Sequence, residues 1–495
     1  MPELKKYQMY IDGQWVDAEG DKTFESMNPA TGESWALIPE ASANDVDHAV
    51  KAAHRAFTSG PWRAMLPTER GELLHRVGEI LVKHSEALGE VESTDTGKLL
   101  KETRWQAAYI SKYYKYYAGL ADKVQGATLP IDKPNMFAMT IREPLGVVAA
   151  IVPWNSQLFL TALKVAPALA TGNTVVLKAS EHASAPMLAF AKIFEEAGVP
   201  PGVVNIVTGF GDPCGKALSS HPLIDRISFT GGGETAKQII HNSASNFAEV
   251  STELGGKSPM IIFDDANIDN AINGILLSIF SASGQSCVAG SRLLIQENIY
   301  DQVLERVAKR VAEIKIGDPF DEASQMGPLA TRGQLANIES SIAKSIEMGG
   351  RLVHGGRRPP QFNKGGLYFE PTIIECPDMS IEVAHKEMFG PVVSVLKFSD
   401  EQEAIEIAND TNYGLASGVF TTDIGRGIRM SQAIRAGIVW VNTYRAVSPM
   451  APFGGYKDSG HGRESGLEAV YDYTREKTVW INTSVEPIDD PFRMQ

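Results

Sequence analysis

The chain has 495 residues, 43% of them hydrophobic and 21% charged, with 45 Gly and 27 Pro, a balance that excludes a disordered, collagenous or small disulfide-stapled protein. At roughly 100–200 residues per domain, the length implies several domains with full-sized cores. A formal net charge of −14 with no basic block argues against nucleic acid or an anionic membrane as a partner.

The first residues, MPELKKYQMYIDGQW, carry charge but no apolar stretch of signal-peptide type. Residues 44–57 predict a helix capped by Asn44, with Val46, Ala49, Val50, Ala53 and Phe57 on one face. One longer helix is predicted over 68–94, with Leu73, Leu74, Val77, Ile80, Leu81, Leu88 and Val91 facing inward. The segment 121–143 holds short strand-like pieces that fit neither neighbouring pattern. From 146 the texture changes to short β-branched runs: 146–152, 174–178 and 203–207 read as buried strands, separated by helices near 158–170 and 184–197. That alternation predicts a parallel, doubly wound sheet, an architecture that binds nucleotides at the carboxyl ends of its strands. A second α/β series starts at 259, with strands at 259–263, 292–295, 392–397, 417–421 and 438–442 and helices at 269–282 and 299–313. Two such series predict two lobes with a cleft between them. The tail after Thr474 has strand-like pieces of its own, and unpaired pieces of this kind often join another subunit.

Three cysteines, Cys214, Cys287 and Cys376, with no C-x-x-C, make neither a disulfide framework nor a zinc knuckle and suit a reducing, cytoplasmic setting. The longest uncharged apolar run, near 145–154, is well short of the roughly 20 residues of a membrane span. No metal site is expected, since no His lies in an H-E-x-x-H pattern. The usual phosphate motifs also fail: Gly209-Phe-Gly211-Asp-Pro-Cys-Gly215 has the wrong spacing for G-x-G-x-x-G. Gly256-Lys257-Ser258 lacks the leading glycine of a P-loop, and Gly284-x-Ser286-x-Val288 misses the serine-hydrolase elbow.

What remains is a series of segments rich in Gly, Pro and reactive side chains: PWN at 153–155, LKASE at 177–181, FTGG at 229–232, ELGGKSP at 253–259, GQSC at 284–287, EMFGP at 387–391 and PFGGYKDSGHGRE at 452–464. In this order they closely resemble the aldehyde dehydrogenase superfamily, over about residues 8–480. The resemblance implies an α/β subunit in three parts: a Rossmann-like NAD-binding domain (1–122 and 144–255), an α/β catalytic domain (256–470), and a small bridging, oligomerisation β-sheet from 123–143 and 471–495. It also implies a homodimer or homotetramer.

Hydride loss from an aldehyde needs a tetrahedral carbon bearing a negative oxygen, and addition of a thiolate supplies it. Cys287 suits this role because Gly284, Ser286, Ala289 and Gly290 leave its sulfur approachable, and a lowered thiol pKa is expected there. Cys214 and Cys376 lack such neighbours and read as structural. The resemblance assigns the oxyanion donors to the Asn155 amide and the Cys287 N–H, the base for thioester hydrolysis to Glu253, and a proton relay to Glu464. A carboxylic acid product follows, because coenzyme-A-acylating relatives generally lack that base.

For the cofactor, the resemblance implies NAD, with NADP possible. Lys178 and Glu181 would bond the adenosine ribose, beside Ser180, and a carboxylate at 181 repels a 2′-phosphate. Val152, Pro153, Trp154, Gly211, Phe229, Gly231, Gly232, Leu254 and Gly255 would line the dinucleotide, and Glu387 and Phe389 would hold the nicotinamide end. Gly232 departs from the family's usual serine, which puts one phosphate contact in doubt. The substrate tunnel would be lined by Ser156, Phe159, Leu160, Leu163, Ser286, Val288 and Phe453. Loss of bulk at 156 and 163 predicts a medium or long aliphatic, or an aromatic, aldehyde. Arg445 is the competing clue, because a guanidinium there suits a semialdehyde whose carboxylate it clamps. Trp154, Trp440 and Tyr444 form no evident aromatic box for a cationic aldehyde. A thiol esterase would use Cys287 and Glu253 but leave the cofactor segments unexplained, and a non-catalytic relative would typically lose one of the two.

Overall fold

The computed structural model describes residues 4–362, 365–488 and 490–493; the expected spans 1–122, 256–470 and 471–495 therefore include residues 1–3, 363, 364, 489, 494 and 495, which lie outside the described residues. Two large sheets organise the chain. The first has eight strands in the order Gly460–His461, Glu249–Glu253, Arg226–Thr230, Val147–Ile151, Thr174–Lys178, Val204–Val207, Met9–Ile11 and Gln14–Val16. Its five central strands are parallel and its outer strands antiparallel. Val147–Ile151 and Thr174–Lys178 are buried along their whole length, as expected of parallel strands covered by helices on both faces. The second sheet has seven strands, Arg351–His354, Thr372–Glu375, Val392–Phe398, Arg292–Gln296, Pro259–Ile262, Ala416–Phe420 and Ile438–Val441, parallel except for the first.

Thr474–Asn482 pairs antiparallel with Met136–Pro144, which in turn pairs with Thr128–Leu129. This small sheet shares no strand with the two large ones. Another three-stranded sheet joins Lys5–Lys6, Glu33–Pro39 and Thr23–Asn28, a region without a sequence-based assignment. No helix among the described residues is long and apolar enough to cross a membrane.

Two helix expectations change. The first helix is Ala43–Thr58, and its cap is Ser42, not Asn44: Ser42 and Asp45 form a reciprocal capping box, which satisfies two otherwise orphaned N–H groups. The single helix expected over 68–94 is two, Pro67–Lys83 and Ser85–Thr96, broken at His84, whose φ of −100° and ψ of 7° leave the helical region. Apolar periodicity runs through the break, so pattern alone could not show it.

The functional consequence of this topology is a seam. After strand Glu249–Glu253 only five residues intervene before Pro259–Ile262 opens the second sheet, and the chain returns to the first sheet at Gly460–His461. The carboxyl ends of the first sheet's strands thereby face the loops that enter the second sheet ahead of Arg292 and Val392.

Candidate active site

At the seam, Pro153, Trp154, Asn155, Leu160, Gly231, Gly232, Glu253, Leu254, Gly255, Cys287, Glu387 and Phe389 line one cavity of about 240 Å³. These residues come from five separate segments of the chain. Cys287 sits in the loop between helix Ile268–Ile279 and strand Arg292–Gln296, preceded by three left-handed residues, Ala282, Ser283 and Gly284. Two of these carry Cβ atoms, a costly arrangement that surrounding packing must hold in place. Gly256 lets the Cys287 carbonyl approach, since a Cβ there would lie 2.6 Å from that oxygen.

Asn155 is buried, and its Nδ2 donates to the Gln285 carbonyl at 3.0 Å. An amide has two N–H bonds, so the contact orients the group and leaves one donor free. The backbone N–H of Cys287 bonds to no group among the described residues.

Burial first, then the Glu253 and Glu387 carboxylates, pushes the Cys287 thiol up to about 12; the Arg445 guanidinium and the Val288 N–H oppose this. The expectation of a lowered thiol pKa is therefore corrected. The physical reason is two nearby carboxylates in a water-poor pocket. Burial also raises Cys214 to about 11 and Cys376 to about 12, and both lie fully packed in cores.

Glu253 ends its strand with both carboxylate oxygens buried and without hydrogen-bond partners among the described residues. Burial and the neighbouring Glu464 hold its pKa well above the usual carboxylate range, with Lys164 and Arg463 opposing. Strand Gly460–His461 pairs directly onto it, Gly460 against Glu253, and so brings the C-terminal PFGG segment to the site. Glu464 itself is buried, ion-paired to Lys164, and accepts from Ser228 at 3.3 Å; it lines neither this cavity nor its neighbour.

A second cleft of about 770 Å³ shares Pro153, Trp154, Gly231 and Gly232 with the first and adds Val152, Lys178, Ser180, Glu181, Gly211 and Phe229. The side chains at its far end suit a sugar: Lys178 lies 3.8 Å from Glu181 and donates to the Ala179 carbonyl. Helix Gly233–Ser243 begins at this cleft with Gly232 as N-cap and no side-chain cap. A Cβ at either Gly232 or Gly233 would meet nothing within 4 Å. Uncapped N–H groups beside open space at a helix start suit an anionic phosphate, so the residues present fit a dinucleotide even without a serine at 232. At the other end, Glu387 accepts the Gly256 N–H at 3.0 Å and packs where a Cβ on Gly255 would lie 2.1 Å away; burial raises its pKa to about 7. Phe389, itself left-handed, meets Trp154 edge to face at 5.2 Å.

The substrate-side residues are more dispersed. Leu160 lines the small cavity, whereas Leu163 is packed inside the core of the first sheet. Phe159 meets Tyr113 edge to face at 5.5 Å, and Ser156 Oγ accepts from Lys98 at 3.1 Å. Val288, Phe453 and the half-buried Cys287 share the second sheet's apolar cluster, and Ser286 is half-buried beside them. The sequence reading missed Gln334, which lines the cavity and donates to the Met388 and Phe389 carbonyls, fixing the EMFGP loop. Nothing local marks it, because its helix Arg332–Glu347 reaches the loop only through the fold.

The model of the aldehyde dehydrogenase family matches residues 15–479. The chain is 55% identical, over 99% of its length and 100% of the relative's, to (Z)-2-((N-methylformamido)methylene)-5-hydroxybutyrolactone dehydrogenase of Acinetobacter baylyi. Among solved structures, betaine aldehyde dehydrogenase of Staphylococcus aureus with NAD+ superposes with a TM-score of 0.96 at 39% identity, over 99% of this chain and 97% of that one. The NAD+ complex of aldehyde dehydrogenase from Bacillus cereus gives 0.94 at 40% identity, over 97% of each chain.

Proposed function

The chain belongs to the aldehyde dehydrogenase family, and from that premise we propose that it oxidises an aldehyde to a carboxylic acid with NAD, through a thioester on Cys287. The convergence of Cys287, Asn155 and Glu253 on one cavity that opens into the dinucleotide cleft carries this reading.

Sulfur attack forms the C–S bond, the thiol proton leaves to solvent, and the carbonyl oxygen becomes an anion between the second Asn155 N–H and the Cys287 N–H. Bound NAD would supply the acceptor for the hydride lost from that carbon. Lys178, Glu181, the helix start at 232–233, Glu387 and Phe389 would hold it. Glu253 then takes a proton from water, whose oxygen attacks the thioester; the C–S bond breaks and the acid leaves. Overall, aldehyde, NAD+ and water give carboxylate, NADH and two protons.

Asn155→Ala should lower kcat/KM by about 10²–10³-fold, the usual effect of losing one oxyanion donor, with NAD affinity unchanged by titration. An unchanged rate would remove Asn155 from that role.

Leu160 in the cavity wall, with Val288 and Phe453 in the apolar cluster that Cys287 packs against, supports an apolar aliphatic or aromatic substrate. The Acinetobacter relative is named for a 5-hydroxybutyrolactone; such a hydroxylactone opens to an aldehyde, so a masked aldehyde of this type belongs in the substrate class. The Glu181 carboxylate favours NAD over NADP. The test is NADH and NADPH formation across aldehydes of increasing length. NADH from extended aldehydes is expected; rates that peak with acetaldehyde, or preference for NADP, overturn the corresponding part.

A homo-oligomer accords with the small sheet, whose strand Thr474–Asn482 has one free edge and whose Phe137, Trp480 and Ile481 are exposed. Three free cysteines accord with the cytoplasm.

A further inference from the structure

Lys98 follows the left-handed Gly97 that ends helix Ser85–Thr96, and its side chain is buried. An ammonium has three N–H bonds and no acceptor. Lys98 Nζ donates to Gln106 Oε1, on helix Leu100–Tyr109, and to Ser156 Oγ at 3.1 Å. Glu92 Oε1 lies 3.6 Å away, and that carboxylate is buried with no hydrogen-bond partner among the described residues, so the Lys98 charge is what balances it. With both charges out of water, desolvation offsets most of their attraction, and stability alone is a weak reason for a cation at this position.

Ser156 directly follows Asn155. It stands at the N-cap of helix Gln157–Ala170 but caps none of its N–H groups; its hydroxyl is turned to Lys98 instead. The turn is held residue by residue: Asn155 Nδ2 donates to the Gln285 carbonyl at 3.0 Å, Ser156 accepts from Lys98, and Gln157 Nε2 donates to the Ala183 carbonyl at 2.8 Å. Three consecutive side chains are thus tied to three different parts of the chain, and only the middle tie carries a charge. The peptide between Asn155 and Ser156 is planar, so only the ψ of the first and the φ of the second can turn one relative to the other. Holding Ser156 therefore limits where the second Asn155 N–H points.

We propose that Lys98 is a positioning residue for the oxyanion: by gripping Ser156 it sets the direction of the second Asn155 N–H, while Glu92 and Gln106 hold the ammonium in place. This rests on the reading of Cys287 as nucleophile and Asn155 as oxyanion donor. Lys98 lines neither cavity at the seam, transfers no proton and acts through Ser156. The device needs a hydroxyl at 156, because an apolar side chain there gives the ammonium nothing to grip.

The test is a mutant cycle read as pre-steady-state NADH formation with the fastest aldehyde of the length series. Lys98→Met keeps the length of the side chain and removes the donor. It should slow that step by about ten- to a hundredfold, the scale of a small displacement of a reacting group, with NAD affinity unchanged. In an Asn155→Ala background the same substitution should change nothing, since the group it positions is gone. Alkylation of Cys287 by iodoacetamide, which develops no oxyanion, should keep its wild-type rate. A merely structural Lys98 gives equal losses in both backgrounds or slows alkylation as much as NADH formation, and either result overturns the proposal. Should Lys98→Met not fold, because it leaves Glu92 buried and unpaired, Ser156→Ala decides: it cuts the same contact and leaves the ion pair whole. A loss of about tenfold or more that disappears in the Asn155→Ala background supports the proposal. A loss that persists there assigns Ser156 to the tunnel wall and refutes it, as does no loss. Wild type that makes no NADH from any aldehyde of the series fails the parent reading and takes this one with it, whereas normal wild-type turnover matched by Lys98→Met sinks this one alone.

Discussion

Cys287→Ala should make no NADH from any aldehyde, a loss of at least about 10⁴-fold, the scale seen when a covalent nucleophile is removed. Without the sulfur the carbonyl stays planar and has no hydride it can readily give up. No other thiol can substitute, because Cys214 and Cys376 are packed in separate cores and line neither cavity. Truncating a half-buried thiol to a methyl leaves at most a small void, costing about 1 kcal/mol, so the variant should fold and bind NAD as wild type does. The check is NADH absorbance with a wide aldehyde panel, alongside NAD titration and a thermal melt. NADH formation by a folded, metal-free Cys287→Ala protein would refute the thioester route.

Glu253→Gln should separate the two halves of the reaction. Acylation and NADH formation need Cys287 and Asn155, so a stoichiometric burst of NADH should survive. Steady-state turnover should fall by about 10²–10⁴-fold, the usual contribution of a positioned base. The pH dependence has a definite sign. Burial and Glu464 raise the Glu253 pKa well above the usual range, and only the ionised form accepts a proton from water. Deacylation should therefore rise with pH along a limb lying above ordinary carboxylate values, and that limb should vanish in the Gln variant. The same shift bears on stability. A carboxyl that binds its proton more tightly when folded contributes fully below the unfolded pKa of about 4.3, and that contribution is lost as pH rises towards the higher folded value. Gln keeps the neutral form's shape at every pH, so the variant should melt no lower than wild type at neutral pH. Equal loss of burst and turnover would take Glu253 out of deacylation.

The raised Cys287 pKa means that the protein alone does not store a thiolate. Burial, followed by the Glu253 and Glu387 carboxylates, suppresses one, and the Arg445 guanidinium opposes them.

The α/β fold class was legible in the chain alone, and the family resemblance singled out Cys287, Glu253 and Asn155 as candidates. Val147–Ile151, Thr174–Lys178 and Val204–Val207 were legible because strands buried on both faces are continuous apolar runs; Cys287 stood out by its small neighbours, and Glu253 and Asn155 by the resemblance of their segments to the family. Strand Arg226–Thr230 and the helix break at His84 were not, since one has mixed polarity and the other interrupts no apolar pattern. Only the tertiary structure decided what surrounds the reactive atoms. It brought Gly460 onto Glu253, Gln334 under the EMFGP loop, Leu163 into the core, and two carboxylates and Arg445 around one thiol. Identity along a chain specifies which groups are present, but a pKa or an unspent hydrogen-bond donor depends on burial and on charges contributed by residues from distant parts of the sequence.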